Sequence, residues 1–229
     1  MRIDIATLFP ALCESYLSES IIGRSRESGV VKVRCHNIRD YAGNKHNRVD
    51  DKPYGGGTGM VIQPEPVYSC ITDVMSTFSS DMNTNPKLIY MSPQGRTLTQ
   101  ELVKELSRER WLVILCGHYE GVDNRVLEEL DFDEISVGDY VVTGGELPAL
   151  ILADSVIRLQ DGVLPNPSAY TQDSHWEVGV LEHPLYTRPE VWRDRRVPET
   201  LLSGHHAEIE KWKIEHSLKN TTSKRKILE

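Results

Sequence analysis

With 229 residues, 39% of them hydrophobic and 26% charged, the chain is long enough for one full hydrophobic core plus a smaller unit. No apolar run approaches the length of a membrane span, and Met1 to Ala6 lack the basic start and apolar stretch of a signal peptide. The formal net charge of −8 argues against bulk nucleic-acid binding, and four scattered cysteines without a C-x-x-C pair read as reduced thiols in a cytoplasm.

Arg2–Thr7 reads as the first strand and Val30–His36 as the second. Ile38 to Gly59 is an irregular stretch rich in Asp, Asn, Lys and Gly, the kind of loop that carries function. Within it Gly55-Gly56-Gly57-Thr58-Gly59-Met60 falls one residue short of G-x-G-x-x-G and opens no apolar helix, so a dinucleotide fingerprint fails. Pro64 suits the first turn of a helix that places Val67, Ile71, Val74 and Met75 at helical spacing. Lys87–Met91 is a third strand, and Thr97-Leu98-Thr99-Gln100 matches a capping box ahead of Leu102, Val103 and Leu106. Trp111–Cys116 is continuously apolar, as a strand buried on both faces is, and Glu134–Val137 is a fifth strand. Leu147 begins an apolar helix running to about Leu159. Such alternation predicts an α/β fold with a mostly parallel sheet and helices on both faces. Asp-Gly, two prolines and several polar residues mark a linker, 161–177, between a domain over 1–160 and a small helical C-terminal domain over 178–229. In the latter, Ser203 precedes a helix over Gly204–Leu218, with Ile209, Trp212, Ile214 and Leu218 roughly at helical spacing.

Two glycine-punctuated turns follow apolar runs: Cys116-Gly117-His118-Tyr119-Glu120-Gly121-Val122-Asp123, and Ser136-Val137-Gly138-Asp139-Tyr140-Val141-Val142-Thr143-Gly144-Gly145-Glu146-Leu147-Pro148. Glycine there bends the chain sharply and lets main-chain N–H and C=O groups approach a ligand. Neither turn carries a lysine or arginine, and no G-x-x-x-x-G-K-[ST] occurs, so a polyphosphate cradle is excluded. A phosphate-free ligand of nucleoside size fits better. Taken singly, each glycine is more simply a turn.

Charge is uneven. From Leu185 to Glu229 ten basic residues face seven acidic ones, so this segment is +3 and the remainder −11. A basic end on an acidic body suits a local phosphate-contacting surface, although a solvated helix face has the same composition. His205 and His206 with Glu208 form no H-E-x-x-H, Asn220-Thr221-Thr222 is a glycosylation sequon by pattern alone, and Trp212 reads as core packing before base stacking.

Five blocks, in order, resemble the bacterial tRNA (guanine-37-N1)-methyltransferases: Asp50 to Met60, Cys116 to Asp123, Gly138 to Pro148, Tyr186-Thr187-Arg188-Pro189, and Val197 to His206. They span nearly the whole chain. Thr58, His118 and His175 stand where many members have proline, arginine and an aromatic residue. The resemblance implies the SPOUT class, with S-adenosylmethionine in a deep trefoil knot, an exception to the rule that chains do not thread their own loops. It also implies a homodimer with sites formed between subunits, and tRNA with guanine at position 37 as substrate. It leaves room for Mg2+, for which the sequence shows no ligand set.

The same resemblance assigns cofactor contacts to Tyr90, Met91, Ser92, Pro93, Gln94 and Gly95 in a first loop, and to Gly117, Tyr119, Glu120 and Gly121 in a second. A third loop supplies Ser136, Val137, Gly138, Asp139, Tyr140, Val141, Val142, Gly144, Gly145 and Pro148. It further implies substrate contacts at Gly55, Gly56, Gly57, Gly59 and Asp154. Guanine N1 carries a proton that must leave as the methyl group arrives, a task for a positioned carboxylate. Asp173 aligns with the family's base, and Arg158 with the arginine that stabilises charge building on O6. From the residues alone, a turn cap and a surface charge would be the simpler readings. An enzyme of the same class acting elsewhere on RNA, or an RNA-binding module without catalysis, are the rival functions.

Overall fold

The computed structural model describes residues 1–77, 85–166 and 168–224, without the side chains of Ser168 and Ala169; Pro167, Arg225, Lys226 and Glu229, invoked in the linker and charge readings, lie outside the described residues. The chain divides into two compact units, Met1–Pro165 and Asn166–Glu229.

In chain order the first unit contains β1 (Arg2–Thr7), α1 (Pro10–Leu17), α2 (Ser20–Glu27), β2 (Lys32–Asn37), β3 (Asp50–Asp51), β4 (Val61–Ile62) and α3 (Pro64–Ser76). Then follow β5 (Lys87–Thr97), α4 (Gln100–Leu106), β6 (Trp111–Cys116), α5 (Asn124–Glu129), β7 (Asp133–Ser136) and α6 (Glu146–Ile157). Five strands form one sheet in the order β2-β1-β6-β5-β7, with every pairing parallel.

The sheet separates two apolar cores, as the two-residue period of a strand requires. Ile3, Ile5, Ile89, Leu112 and Ile114 face one side, against Leu17 of α1, Ile22 of α2, Leu102 and Leu106 of α4, and Leu152 and Val156 of α6. Ala6, Tyr90, Val113 and Leu115 face the other, against Val67, Ile71 and Val74 of α3 and Val126 of α5. Every residue of β6 is buried, which is why its sequence is apolar without alternation.

Several boundaries differ from the sequence reading. Strand β5 does not stop at Met91 but bends: Met91 and Arg96 both pair with Ile135, and the residues between them bulge out as a loop. Thr97 is therefore used in β5, opposite Ser136, and the helix is capped two residues later, where the Thr99 hydroxyl accepts the Leu102 N–H at 3.3 Å. The capping box at Thr97 is thus corrected to a single cap at Thr99. Helices α1, α2 and α5, which the apolar spacing did not reveal, are each eight residues or fewer and keep only two or three residues buried.

Asp4 of β1 is a buried charge held by its neighbours. Its carboxylate accepts hydrogen bonds from Arg2 Nε at 2.5 Å and Trp111 Nε1 at 2.7 Å, and faces His36 Nε2 at 2.7 Å. Burial alone pushes this carboxyl up, but the bonds from His36, Arg2 and Trp111 outweigh it and hold it below the usual range. Because the folded form keeps the proton off more strongly than the unfolded chain, whose aspartates titrate near about 3.9, acid favours unfolding. Asp4→Ala is expected to cost about 3–5 kcal/mol at neutral pH. In urea titrations the gap from wild type should be full above about pH 4 and shrink as pH falls further; a gap independent of pH down to acid would show that the carboxylate's charge contributes nothing.

The second unit contains α7 (Ser168–Thr171), a ribbon of β8 (Val191–Trp192) and β9 (Arg195–Arg196), α8 (Glu199–Leu202) and α9 (His206–Lys224). Gly204, at φ 74°, lies between the last two helices rather than opening one. Helix α9 runs past Leu218 because its polar end is tied down: Ser217 Oγ donates to Leu181 O, Thr221 Oγ1 accepts the Leu181 N–H at 2.9 Å, and Asn220 donates to Glu182 O at 2.8 Å.

Candidate functional site

The bend in β5 and the ends of β6 and β7 enclose a cavity of ≈ 340 Å³, within the usual range for small-molecule sites. Most of its lining comes from three segments: Tyr90 to Gln94, Gly117 to Val122, and Glu134 to Val137 continuing with Tyr140 to Gly145 and Pro148. The sequence-assigned cofactor residues converge here except Gly95, Gly138 and Asp139, which lie outside the lining. Gly95 is pressed against β7, where a Cβ would overlap the Glu134 carbonyl carbon; Gly138 is held by Ser136, whose hydroxyl donates to Gly138 O at 2.9 Å; Asp139 is exposed. His118, Val122, Asn124, Leu127, Glu134, Ile135 and Thr143 also line the cavity, and their signal was only adjacency to the glycine turns or strand ends.

The segments are joined through the main chain. Gly145 N–H donates to Gly117 O at 2.7 Å, and a Cβ on Gly145 would sit 2.7 Å from Gly117 N, a backbone contact that cannot give. Only glycine lets the third loop lie this close to the second. Glu120 N–H donates to Met60 O at 3.0 Å, Ile62 N–H to Gly121 O at 2.9 Å and Asp123 N–H to Ile62 O at 3.0 Å, so the end of the Gly55–Gly59 loop is stitched to the second loop. The Glu120 side chain occupies the space beside Gly59, where a Cβ would overlap its Oε1.

Among the described residues no lysine or arginine lines the cavity, whereas Glu120 and Glu134 do. Burial first, and Glu134 second, push the Tyr90 phenol up, so it stays neutral. Such walls suit a phosphate-free ligand read by main-chain groups, and they fit S-adenosylmethionine, a nucleoside whose sulfonium and ammonium charges outnumber its single carboxylate.

Arg158 and Asp154 lie elsewhere in the first unit. Both border a second, smaller cavity of ≈ 200 Å³ with Tyr16, Glu19, Ile21 and Leu164. Arg158 is the C-cap of α6, its N–H donating to Asp154 O at 3.0 Å, and the Tyr16 hydroxyl donates to Asp154 Oδ2. That bond pushes the Tyr16 phenol up to about 12 and keeps it a neutral donor. Asp173 belongs to the second unit, half-buried in a turn where Trp176 N–H donates to Asp173 O at 3.1 Å. Among the described residues no group of three or more His, Cys, Asp or Glu side chains is placed to hold a metal ion, and no helix is long and apolar enough to cross a membrane.

Comparison with known proteins agrees along the whole length. The profile of the family described as tRNA (Guanine-1)-methyltransferase TrmD matches residues 1–229. A protein of Ruminiclostridium cellulolyticum named tRNA (guanine-N(1)-)-methyltransferase is 52% identical over 225 residues, covering 98% of this chain and 94% of its own. Proteins of the same name from Staphylococcus epidermidis and Bacillus subtilis are 48% and 47% identical over 225 residues, covering 98% of this chain and 89% and 90% of theirs.

Proposed function

We propose, for a chain that belongs to the tRNA (guanine-1)-methyltransferase family, that it moves a methyl group from S-adenosylmethionine to N1 of guanine 37 in tRNA, beside the anticodon. The observation that carries the cofactor's place is the cavity whose glycine-joined loops present main chain and carboxylates but, among the described residues, no basic side chain of lysine or arginine. When bound, S-adenosylmethionine supplies an electrophilic methyl group. Tyr90 to Gln94, Gly117 to Gly121 and Tyr140 to Gly145 would hold it, with Glu120 and Glu134 as the nearby negative charge. The knotted SPOUT arrangement is part of the proposal. Its support is that β5 lies between β6 and β7 while the chain after β7 returns to pair Gly144 with His118 and Gly145 with Gly117.

Asp173 takes the N1 proton and Arg158 stabilises the charge that builds on O6. The Gly55–Gly59 loop and Asp154 contact the substrate. The second unit holds the RNA backbone through exposed Arg193 and Arg195 of the β8–β9 ribbon, beside exposed Trp192. Such contacts weaken as salt rises, because they release counterions. A tRNA substrate implies work in the cytoplasm.

A homodimer fits the surface of the first unit. Leu147 and Ile151, one turn apart on α6, are 57% and 47% exposed, and Leu12 and Tyr16 on the packed helix α1 are each 45% exposed. A second copy of the same face would cover them. Changing Leu147 and Ile151 together to Glu is expected to give a monomer by sedimentation equilibrium and to remove methyl transfer; a dimer of unchanged stability would place the interface elsewhere.

The deciding assay incubates the protein with labelled S-adenosylmethionine and a transcript carrying guanines at positions 36 and 37, with a G37→A control. Label at N1 of guanine 37 and none in the control is expected. Label mapped by mass spectrometry to another nucleoside would replace the position, and absence of any transfer would overturn the proposal.

A further inference from the structure

Tyr54 is 98% exposed, more than any other large apolar or aromatic side chain among the described residues. A ring left in water packs on nothing in its own chain and adds no burial to the fold. Its neighbours keep the space around it clear. Gly55, Gly56 and Gly57 take φ of 85°, 84° and 121°, and a Cβ on any of them would meet nothing within 4 Å. These glycines serve the turn of the backbone, not close packing. The ring is nevertheless carried on a fixed stem: β3 pairs antiparallel with β4, and Gln63 N–H donates to Val49 O at 2.7 Å. That stem is the segment stitched to the second cavity loop through Met60 and Ile62, with Glu120 of the cavity lining against Gly59. Tyr54 stands five positions before Gly59, so their Cα atoms are no more than about 18 Å apart.

Basic side chains border the stem. Arg48 Nε donates to Asp50 O at 3.0 Å, and Lys45 and Lys52 are exposed. Arg125 is paired at 2.7 Å with Asp123, whose N–H is bonded to Ile62 O. An exposed aromatic ring among cations is the arrangement that takes an unpaired nucleobase, since every base has a flat π-face and its phosphates need positive charge nearby. The reaction creates a need for such a ring. Guanine N1 lies on the pairing edge, so the target must be unpaired, and drawing it into the cavity uncovers a face of the base beside it. We infer that Tyr54 stacks on a nucleobase flanking the methylated guanine and replaces the face that the target leaves. The ring belongs to RNA binding and takes no part in the proton transfer. The inference rests on the proposed RNA substrate of this site.

Tyr54→Ala is expected to weaken binding of the transcript with guanines at positions 36 and 37 by about tenfold or more. Tyr54→Phe should stay within about threefold of wild type, because the ring stacks and the hydroxyl does not. With so little of the side chain buried, thermal unfolding and S-adenosylmethionine affinity should be the same in both variants as in wild type. Synthetic tRNAs lacking the base at position 36 or at position 38 locate the partner. At one of the two, loss of the base should weaken wild type by a factor close to that of Tyr54→Ala, yet cost Tyr54→Ala almost nothing further. Wild-type tRNA affinity in Tyr54→Ala, or full additivity at both positions, would overturn the stack. Altered self-association of Tyr54→Ala by sedimentation equilibrium, with tRNA affinity unchanged, would give the ring to a second copy of the chain and overturn it too. Failure of the wild type to bind the transcript would instead overturn the RNA reading on which the stack rests.

Discussion

Asp173→Asn is expected to slow the single-turnover methyl transfer by about 10²-fold or more while leaving S-adenosylmethionine affinity unchanged. The amide preserves the shape of the side chain and removes its ability to accept the N1 proton. The turn that carries it does not depend on the carboxylate alone. Asp173 N–H donates to Tyr170 O at 3.3 Å, Trp176 N–H donates to Asp173 O at 3.1 Å, and the Tyr170 and Trp176 rings lie 5.1 Å apart. Affinity for the cofactor should hold because the cavity lies wholly within the first unit. In wild type the rate should climb with pH while proton removal limits it; in the variant, residual rate should follow hydroxide. A wild-type single-turnover rate in Asp173→Asn would make the aspartate a turn cap and send the search for the base elsewhere.

Arg158→Ala should cost roughly 10²–10³-fold in the same step, the size of effect seen when one donor to a developing oxyanion is lost. At the C-cap of α6 the backbone of Arg158 is set by the helix, so truncating its side chain leaves the fold of the helix in place. Arg158→Lys should recover only part of the rate, since a point charge replaces a planar fork of donors. The double variant with Asp173→Asn should lose less than the product of the single losses, because both groups act on one transition state. A raised KM with unchanged kcat would instead assign Arg158 to ground-state binding.

The parts of the fold that showed in the sequence are those whose pattern is set by burial. β1 and β6 were legible to the residue because Ile3, Ile5 and all of Trp111 to Cys116 are buried. Helix α3 was legible from Pro64 and its buried stripe. β5 was read short because its apolar run ends at Met91, ahead of Ser92-Pro93-Gln94-Gly95; the strand resumes on the same partner only after a shift in register. That return depends on β7, which local sequence cannot show. The glycine turns announced a main-chain pocket, but the pairing of Gly145 with Gly117 is a contact between segments 28 residues apart in the numbering and came from the fold alone.

The strand order has a consequence for how the molecule is made. β1 leaves the ribosome first, yet one of its two neighbours is β6, and Asp4 waits 107 residues for Trp111. Thr7 waits longer, 139 residues, for Glu146. Until those late segments arrive, the nascent sheet lacks its central strand and its first strand carries polar groups meant for partners not yet synthesised. Pairings this distant make for slow folding, since loop closure must precede the contacts that reward it. A chain arrested before β6 can pair β1 with β2 alone, leaving the other edge of β1 open.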